Sequence, residues 1–305
     1  MITYRELSSL ETDLGFKVKT LHAISNNITA HYRKIKIPKK SGGTRTLYIP
    51  DEILKKVQRR INKVILSLFP VSPYATAYVY GGGIRKNAEV HLNKPQILKL
   101  DIYKFFDSVT YMDIKSKVFN SKMFSEQNRI LLTNLCGIND SLPQGAPTSP
   151  TISNILLYDF DIEVGQWCKK RKIAYTRYCD DMTFSGNFNA DEVVDFVREK
   201  LKENGFLLKK EKTVTANQSQ RQSVTGVIVN EILNVPAEYR RKLRQELYYC
   251  KKFGIESHLE HINSTLSKEE FINHLLGKIR YVTYINPSDN EMKEYRDWLT
   301  NAMKK

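Results

Sequence analysis

The chain has 305 residues, 41% of them apolar, enough for a substantial core spread over two or more subdomains. Lys and Arg number 48 against 33 Asp and Glu, and the resulting charge of +15, interleaved with 17 Tyr and 13 Phe, favours a polyanionic partner held by phosphate neutralisation and base stacking. No run approaches ~18 uninterrupted apolar residues, which argues against a membrane span. Cys136, Cys168, Cys179 and Cys250 are dispersed, with no Cys-x-x-Cys pair, so neither a zinc site nor a disulfide framework is indicated. Free thiols, and a Met1–Glu6 segment without the apolar core of a leader, set the expectation of a cytoplasmic location.

In chain order, Lys39-Lys40-Ser41-Gly42-Gly43-Thr44-Arg45 sets cations on both sides of a Gly-Gly turn between two extended runs. Such a hairpin can fold over a phosphate chain, with Arg45 offering a bidentate fork, or stand as a solvated basic loop. Ile53, Leu54, Val57, Ile61, Val64, Ile65 and Leu68 recur at helical spacing, with Lys55, Lys56, Arg59, Arg60 and Lys63 filling the other face. Gln96–Ile102 reads as an apolar strand that brings Asp101 to its C-terminal end. A helix is expected over Gly145–Leu157. Ile173–Arg177 and Met182–Ser185 are rich in β-branched and aromatic residues, and Gly186 stops the second run. Tyr178-Cys179-Asp180-Asp181 therefore sits at the tip of a β-hairpin. This alternation predicts an α+β fold with an antiparallel sheet.

Around Asn234-Val235-Pro236 the chain changes character. Leu243, Leu247 and Tyr248 share one helical face, opposite Arg240, Arg241, Lys242 and Arg244. Phe271, Ile272, Leu275, Leu276 and Ile279 make a second amphipathic helix, and Met292, Tyr295, Leu299 and Met303 a third, with Pro287 between them. No internal repeat is visible.

Two adjacent carboxylates at a hairpin tip repel unless something positive neutralises them. An isolated Asp-Asp pair also suits a solvated turn. Asp101 upstream, embedded in hydrophobics, favours the first reading, because hard divalent cations take oxygen ligands and Mg²⁺ is commonly held by one or two carboxylates plus substrate phosphates. Two such ions, ~3.5–4 Å apart, can activate an attacking hydroxyl and stabilise a leaving oxygen.

These three acids, with Leu142-Pro143-Gln144-Gly145-Ala146-Pro147-Thr148-Ser149-Pro150 between them, occur in the order found in reverse transcriptases. Within that family the chain most resembles the bacterial retron type, over about Ile35 to the C-terminus. Asn87-Ala88-Glu89-Val90-His91 resembles an Asn-Ala-x-x-His motif and Val224-Thr225-Gly226 a Val-Thr-Gly motif of that group. Cys179 stands where the group usually has Ala. The resemblance implies a right-hand polymerase: N-terminal helices and fingers over 1–95, a palm with an antiparallel sheet over 96–235, and a helical thumb over 236–305. Tyr281–Pro287 also resembles the thumb ending of retron and group II intron enzymes.

The resemblance further implies that Asp101, Ile102, Asp180 and Asp181 hold two Mg²⁺ ions. Arg45, then Lys39, would contact the nucleotide phosphates, Gln144 the nucleotide, and Phe106 would clash with a 2′-hydroxyl and so select dNTPs. Lys212 resembles a lysine that protonates the leaving pyrophosphate, an electrostatic role being the alternative. Of Phe105 and Phe106, one is expected in the core. Ser149 and Asn154 would line the template path or serve as caps. Asn87, His91, Val224, Thr225 and Gly226 would handle a structured RNA, although His91 also reads as a buried hydrogen-bonding histidine and Gly226 as a turn residue. The implied product is branched, RNA-linked single-stranded DNA (msDNA) copied from a cognate msr-msd type RNA, in a defence system with an accessory effector. A group II intron-like enzyme with another template, and a non-catalytic RNA-binding scaffold, are the rivals.

Overall fold

The computed structural model describes Tyr4, residues 6–38 and residues 42–303. Helices α1 (Leu7–Leu14) and α2 (Val18–Asn26) precede the basic segment, where β1 (Tyr32–Pro38) pairs antiparallel with β2 (Thr44–Pro50), Ile37 opposite Arg45. Gly42 and Gly43 take φ of 87° and 78° at its turn, a region costly for other residues. Lys39, and Lys40 beside it, lie outside the described residues.

Helix α3 (Glu52–Val64) is started by Asp51, whose carboxylate accepts the Leu54 N–H at 2.9 Å. It buries Leu54, Val57 and Ile61, with Gln58 bonded inward to the Leu135 carbonyl at 2.8 Å. Ile53 and Leu68, expected on this face, are exposed. Ile53 lies about 100° around the helix from Leu54, and Leu68 follows the helix end.

Helix α4 (Ile84–Glu89) leads into β3 (Gln96–Asp101). Short helices α5 (Phe105–Ser108) and α6 (Tyr111–Asp113), then α7 (Glu126–Cys136), α8 (Ser149–Leu156) and α9 (Tyr158–Lys170), separate it from the hairpin of β4 (Ala174–Tyr178) and β5 (Asp181–Ser185). The helix expected from Gly145 begins only at Ser149, with Pro150 in its first turn, where a missing N–H costs nothing. Helix α10 (Ala190–Glu203), β6 (Val214–Asn217), β7 (Ser223–Val224) and β8 (Val227–Ile228) follow. The central sheet runs β4-β5-β3-β6, antiparallel throughout, as the sequence pattern predicts. Leu98, Leu100, Met182 and Phe184 are buried in one cluster with Phe160 and Val164 of α9 and Val197 and Leu201 of α10. Each such side chain contributes about 1.5–3 kcal/mol through burial. That packing makes the sheet a rigid base for whatever its strand ends carry.

Past Pro236 the described chain forms four helices, not three: α11 (Ala237–Phe253), α12 (Ile255–His261), α13 (Lys268–Ile285) and α14 (Asn290–Ala302). The extra one, α12, is too short for a helical period to show. A second apolar cluster joins them to Ala88, Ile97, Val224 and Val227. Tyr248 and Met303 are exposed, and Cys250 completes the buried line of Leu243 and Leu247. Arg240, expected on the open basic face, is half-buried against Asp289 at 2.9 Å and Glu291 at 2.6 Å, tying α11 to the start of α14.

Candidate active site

The β-ladder places the three acids together. Asp101, last in β3, pairs across the ladder with Asp181, first in β5, and Asp180 occupies the turn of the hairpin beside them. Cys179 takes φ 61° to make that turn, and the Asp180 carbonyl accepts the Ile102 N–H at 3.2 Å. All three acids line a cleft of about 1000 Å³, together with Arg45, Phe106, Gln144 and Lys212.

Asp101 is buried and ion-paired to the Lys212 ammonium. Loss of hydration and the charge of Asp101 raise the Asp180 carboxyl above the usual carboxylate range. Asp181 is pushed up to about 7, by desolvation first, then by Asp180 and Asp101. Burial works against the Lys212 charge, but its bond to Asp101 and the fields of Asp181 and Asp180 outweigh this and hold its pKa above the ordinary value. Lys212 thus brings one positive charge to three crowded carboxylates. Among the described residues no three His, Cys, Asp or Glu side chains stand close enough to enclose an ion as they are placed. The donor chemistry nonetheless fits a hard divalent cation: oxygen ligands, strand-fixed, with negative charge left uncompensated. The Ile102 side chain is apolar and buried, so its only possible ligand atom is its main-chain carbonyl oxygen.

Beneath the hairpin lies an ion pair that sequence reasoning missed. The Arg177 guanidinium, fully buried, binds Asp161 through Nε at 2.8 Å and Nη2 at 2.6 Å. Its Nη1 donates to the Cys179 carbonyl and to Asn154 Oδ1, each at 3.0 Å. The pair therefore holds the turn that carries Asp180. Asn154 also donates to the Ala77 carbonyl at 3.0 Å, and Ser149 to the Pro143 carbonyl at 2.6 Å. Both are buried, so neither lines a template path. No local signal joins Arg177 to a helical aspartate 16 positions earlier.

The loop before α8 is fixed to the basic hairpin. The Gln144 carbonyl accepts the Tyr48 N–H at 2.8 Å. Gly145, at φ 117°, has no room for a side chain, because a Cβ would stand 2.8 Å from the Tyr48 carbonyl oxygen. This contact positions Gln144 and Arg45 on one cleft. Phe105 is buried against Phe206, whereas Phe106 is half-buried and borders the cleft.

The expected RNA-handling residues divide differently. Asn87, His91 and Val224 are buried and present no surface to RNA. His91 bonds Ser185 Oγ through Nδ1 and Thr176 Oγ1 through Nε2, both at 2.7 Å, and Asn87 Oδ1 accepts from Thr76 and Thr176. Burial depresses the His91 pKa to about 3, with Lys94 adding to the effect. Thr225 and Gly226, at positive φ, form the turn between β7 and β8, where Gly226 is exposed.

Tyr78 was also missed. It takes φ 60° and borders the cleft, as Cys179 does. Burial, then Cys179, raises its phenol well above the ordinary value, and burial and Asp180 push the Cys179 thiol up to about 12. Backbone strain of this kind leaves no trace in composition.

Residues 37–229 match the family model described as reverse transcriptase (RNA-dependent DNA polymerase). The chain is 31% identical over 295 residues to the Retron Ec83 reverse transcriptase of Escherichia coli, covering 90% of each chain. It is 33% identical over 268 residues to the Retron Mx65 reverse transcriptase of Myxococcus xanthus, covering 80% of this chain but 62% of that relative. Against the Retron Ec86 reverse transcriptase of Escherichia coli the identity is 29% over 279 residues, covering 88% and 85%.

Proposed function

The chain belongs to the reverse transcriptases, on the side of the retron enzymes, and from that premise we propose that it copies part of a cognate structured RNA into single-stranded DNA that stays joined to its template. It is an RNA-directed DNA polymerase of right-hand architecture. The observation that carries the polymerase chemistry is the meeting of Asp101, Asp180 and Asp181 on two strand ends in one cleft with Arg45 and Gln144, and the likeness to retron enzymes supports the finer reading. In this reading residues 1–95 serve as fingers, 96–235 as palm and 236–305 as thumb. The partner is an msr-msd type RNA, the location is cytoplasmic, and an accessory effector completes a defence system.

Asp101, Asp180, Asp181 and the Ile102 carbonyl would hold two Mg²⁺ ions, which when bound favour ionisation of the attacking hydroxyl and neutralise charge on the leaving group. Arg45, exposed at the cleft rim, clamps the triphosphate by its planar fork. Gln144 is held by its main chain while its side chain meets the nucleotide. The Phe106 ring closes the space beside the sugar. Lys212, kept protonated by the acids, can pass its proton to pyrophosphate once Asp101 is otherwise engaged. Arg177 holds the Cys179 carbonyl, and with it the hairpin turn.

Purification from cells carrying the native locus, followed by sequencing of the bound nucleic acid with and without RNase and debranching, tests this. One short DNA joined 2′-5′ to one structured RNA is expected. Linear DNA or heterogeneous RNA would move the chain to another group of reverse transcriptases.

A further inference from the structure

A second cavity, of about 430 Å³, opens among α11, α12 and α13 and shares no lining residue with the catalytic cleft. Its size lies at the lower end of small-ligand sites. Tyr239, Tyr249 and His258 supply aromatic rings, and Glu246 and Lys278, paired at 2.7 Å, supply an acceptor and a donor at one wall. His258 is only 6% exposed, yet its Nε2 atom has no hydrogen-bond partner. Its ring lies between Tyr249 and Phe271, with centroids 6.0 Å from each, and so backs the Tyr249 ring at the cavity wall. Lys242 lines the cavity as well, and outside it α11 exposes Arg241, Arg244, Lys251 and Lys252.

We propose that this cavity receives one unstacked base of the RNA strand the protein binds, a reading that rests on the RNA partner proposed above. The base stacks on the Tyr249 ring, its edge meets the Glu246–Lys278 pair, and its phosphates lie along the basic face of α11. Unpaired bases splayed onto aromatic rings and read at their edges are the usual currency of sequence-specific RNA recognition. A free small molecule would leave the neighbouring cations without a role, whereas a strand uses both.

Short single-stranded RNAs carrying 2-aminopurine, and an RNA–DNA duplex without unpaired bases, are the probes, with the full chain. Tyr249→Ala should weaken single-strand binding about tenfold and abolish quenching of the 2-aminopurine. Tyr249→Phe should keep both, Lys278→Gln should weaken single-strand binding, and duplex affinity should not change. Extension of oligo(dT) annealed to poly(rA) should be the same in all three. Should Tyr249→Ala lose extension, its helix packing is damaged, and Lys278→Gln, at a partly exposed side chain, decides. Equal single-strand affinity and quenching in wild type and variants would overturn the pocket while leaving the polymerase standing. So would saturation by free nucleoside monophosphates with no preference for a strand. A wild-type protein that neither extends the primer nor binds RNA would overturn both readings.

Discussion

Arg177 Nη2 lies 2.6 Å from Asp161 Oδ2, and both side chains are wholly shielded from water. The same guanidinium reaches the Cys179 carbonyl, so the support of the catalytic turn is a charge buried two residues from its tip. Burial opposes that charge, but Asp161 outweighs it and holds the Arg177 pKa above its ordinary value.

Removing one partner strands the other in the interior. Asp161→Ala should therefore destabilise the protein by about 3–5 kcal/mol, read as a lower urea midpoint. Replacing both partners by apolar residues should restore part of the stability but not the activity, because the Cys179 carbonyl would lose its donor. An Asp161→Ala variant as stable as wild type would show that the guanidinium finds water in the folded state.

The crowded acids give a second expectation. In chelator only the Lys212 charge relieves the repulsion among Asp101, Asp180 and Asp181, so Mg²⁺ should raise the thermal midpoint, and the rise should continue with the logarithm of its concentration. Asp180→Asn and Asp181→Asn should each abolish most of the Mg²⁺ effect and cut DNA synthesis by on the order of 10²–10³ or more. RNA binding should survive both. A midpoint insensitive to Mg²⁺ in wild type would remove these acids as its ligands.

Strand ends and a hairpin tip were legible because the apolar run of Gln96–Ile102 and the β-branched and aromatic flanks of Tyr178–Asp181 are local properties. Their union followed from one antiparallel register, Asp101 opposite Asp181. Contacts between distant polar side chains were not legible. His91 read equally well as a surface contact or a buried hydrogen-bonding group until Ser185 and Thr176 were seen against it. Tyr78 carried no signal, since a left-handed φ at a non-glycine residue has no mark in composition.

His91 makes a pH prediction with a definite sign. Its ordinary value is 6.5 and its folded value about 3, so below 6.5 the unfolded chain binds a proton that the folded chain refuses. Stability is fully present above about 6.5 and is lost as pH falls toward 3, by about 1.4 kcal/mol per pH unit from this group. His91→Gln should flatten that part of the curve in paired urea titrations. Parallel curves for the two proteins would place a protonated imidazole in the folded state.

Phe106 borders the cleft while Phe105 is buried in the core, so truncation of the first alone should spare the fold. Phe106→Ala should admit ribonucleotides, narrowing the kcat/KM preference for dNTPs by about ten- to a hundredfold. Phe105→Ala should instead lower stability by about 3–5 kcal/mol. Unchanged sugar preference in Phe106→Ala would assign the discrimination to another wall of the cleft.

Lys212 engages Asp101 and is half-exposed, so its two candidate roles can be separated. Lys212→Arg keeps the charge near Asp101, but a guanidinium gives up its proton far less readily than an ammonium. If Lys212 protonates the pyrophosphate, the arginine variant should bind dNTP nearly as well as wild type yet lose about 10²-fold or more in kcat, with Lys212→Gln losing at least as much. If the residue acts through charge alone, Lys212→Arg should retain most of kcat and only Lys212→Gln should fall. Single-turnover incorporation at saturating dNTP distinguishes the two, since it isolates the bond-forming step from product release.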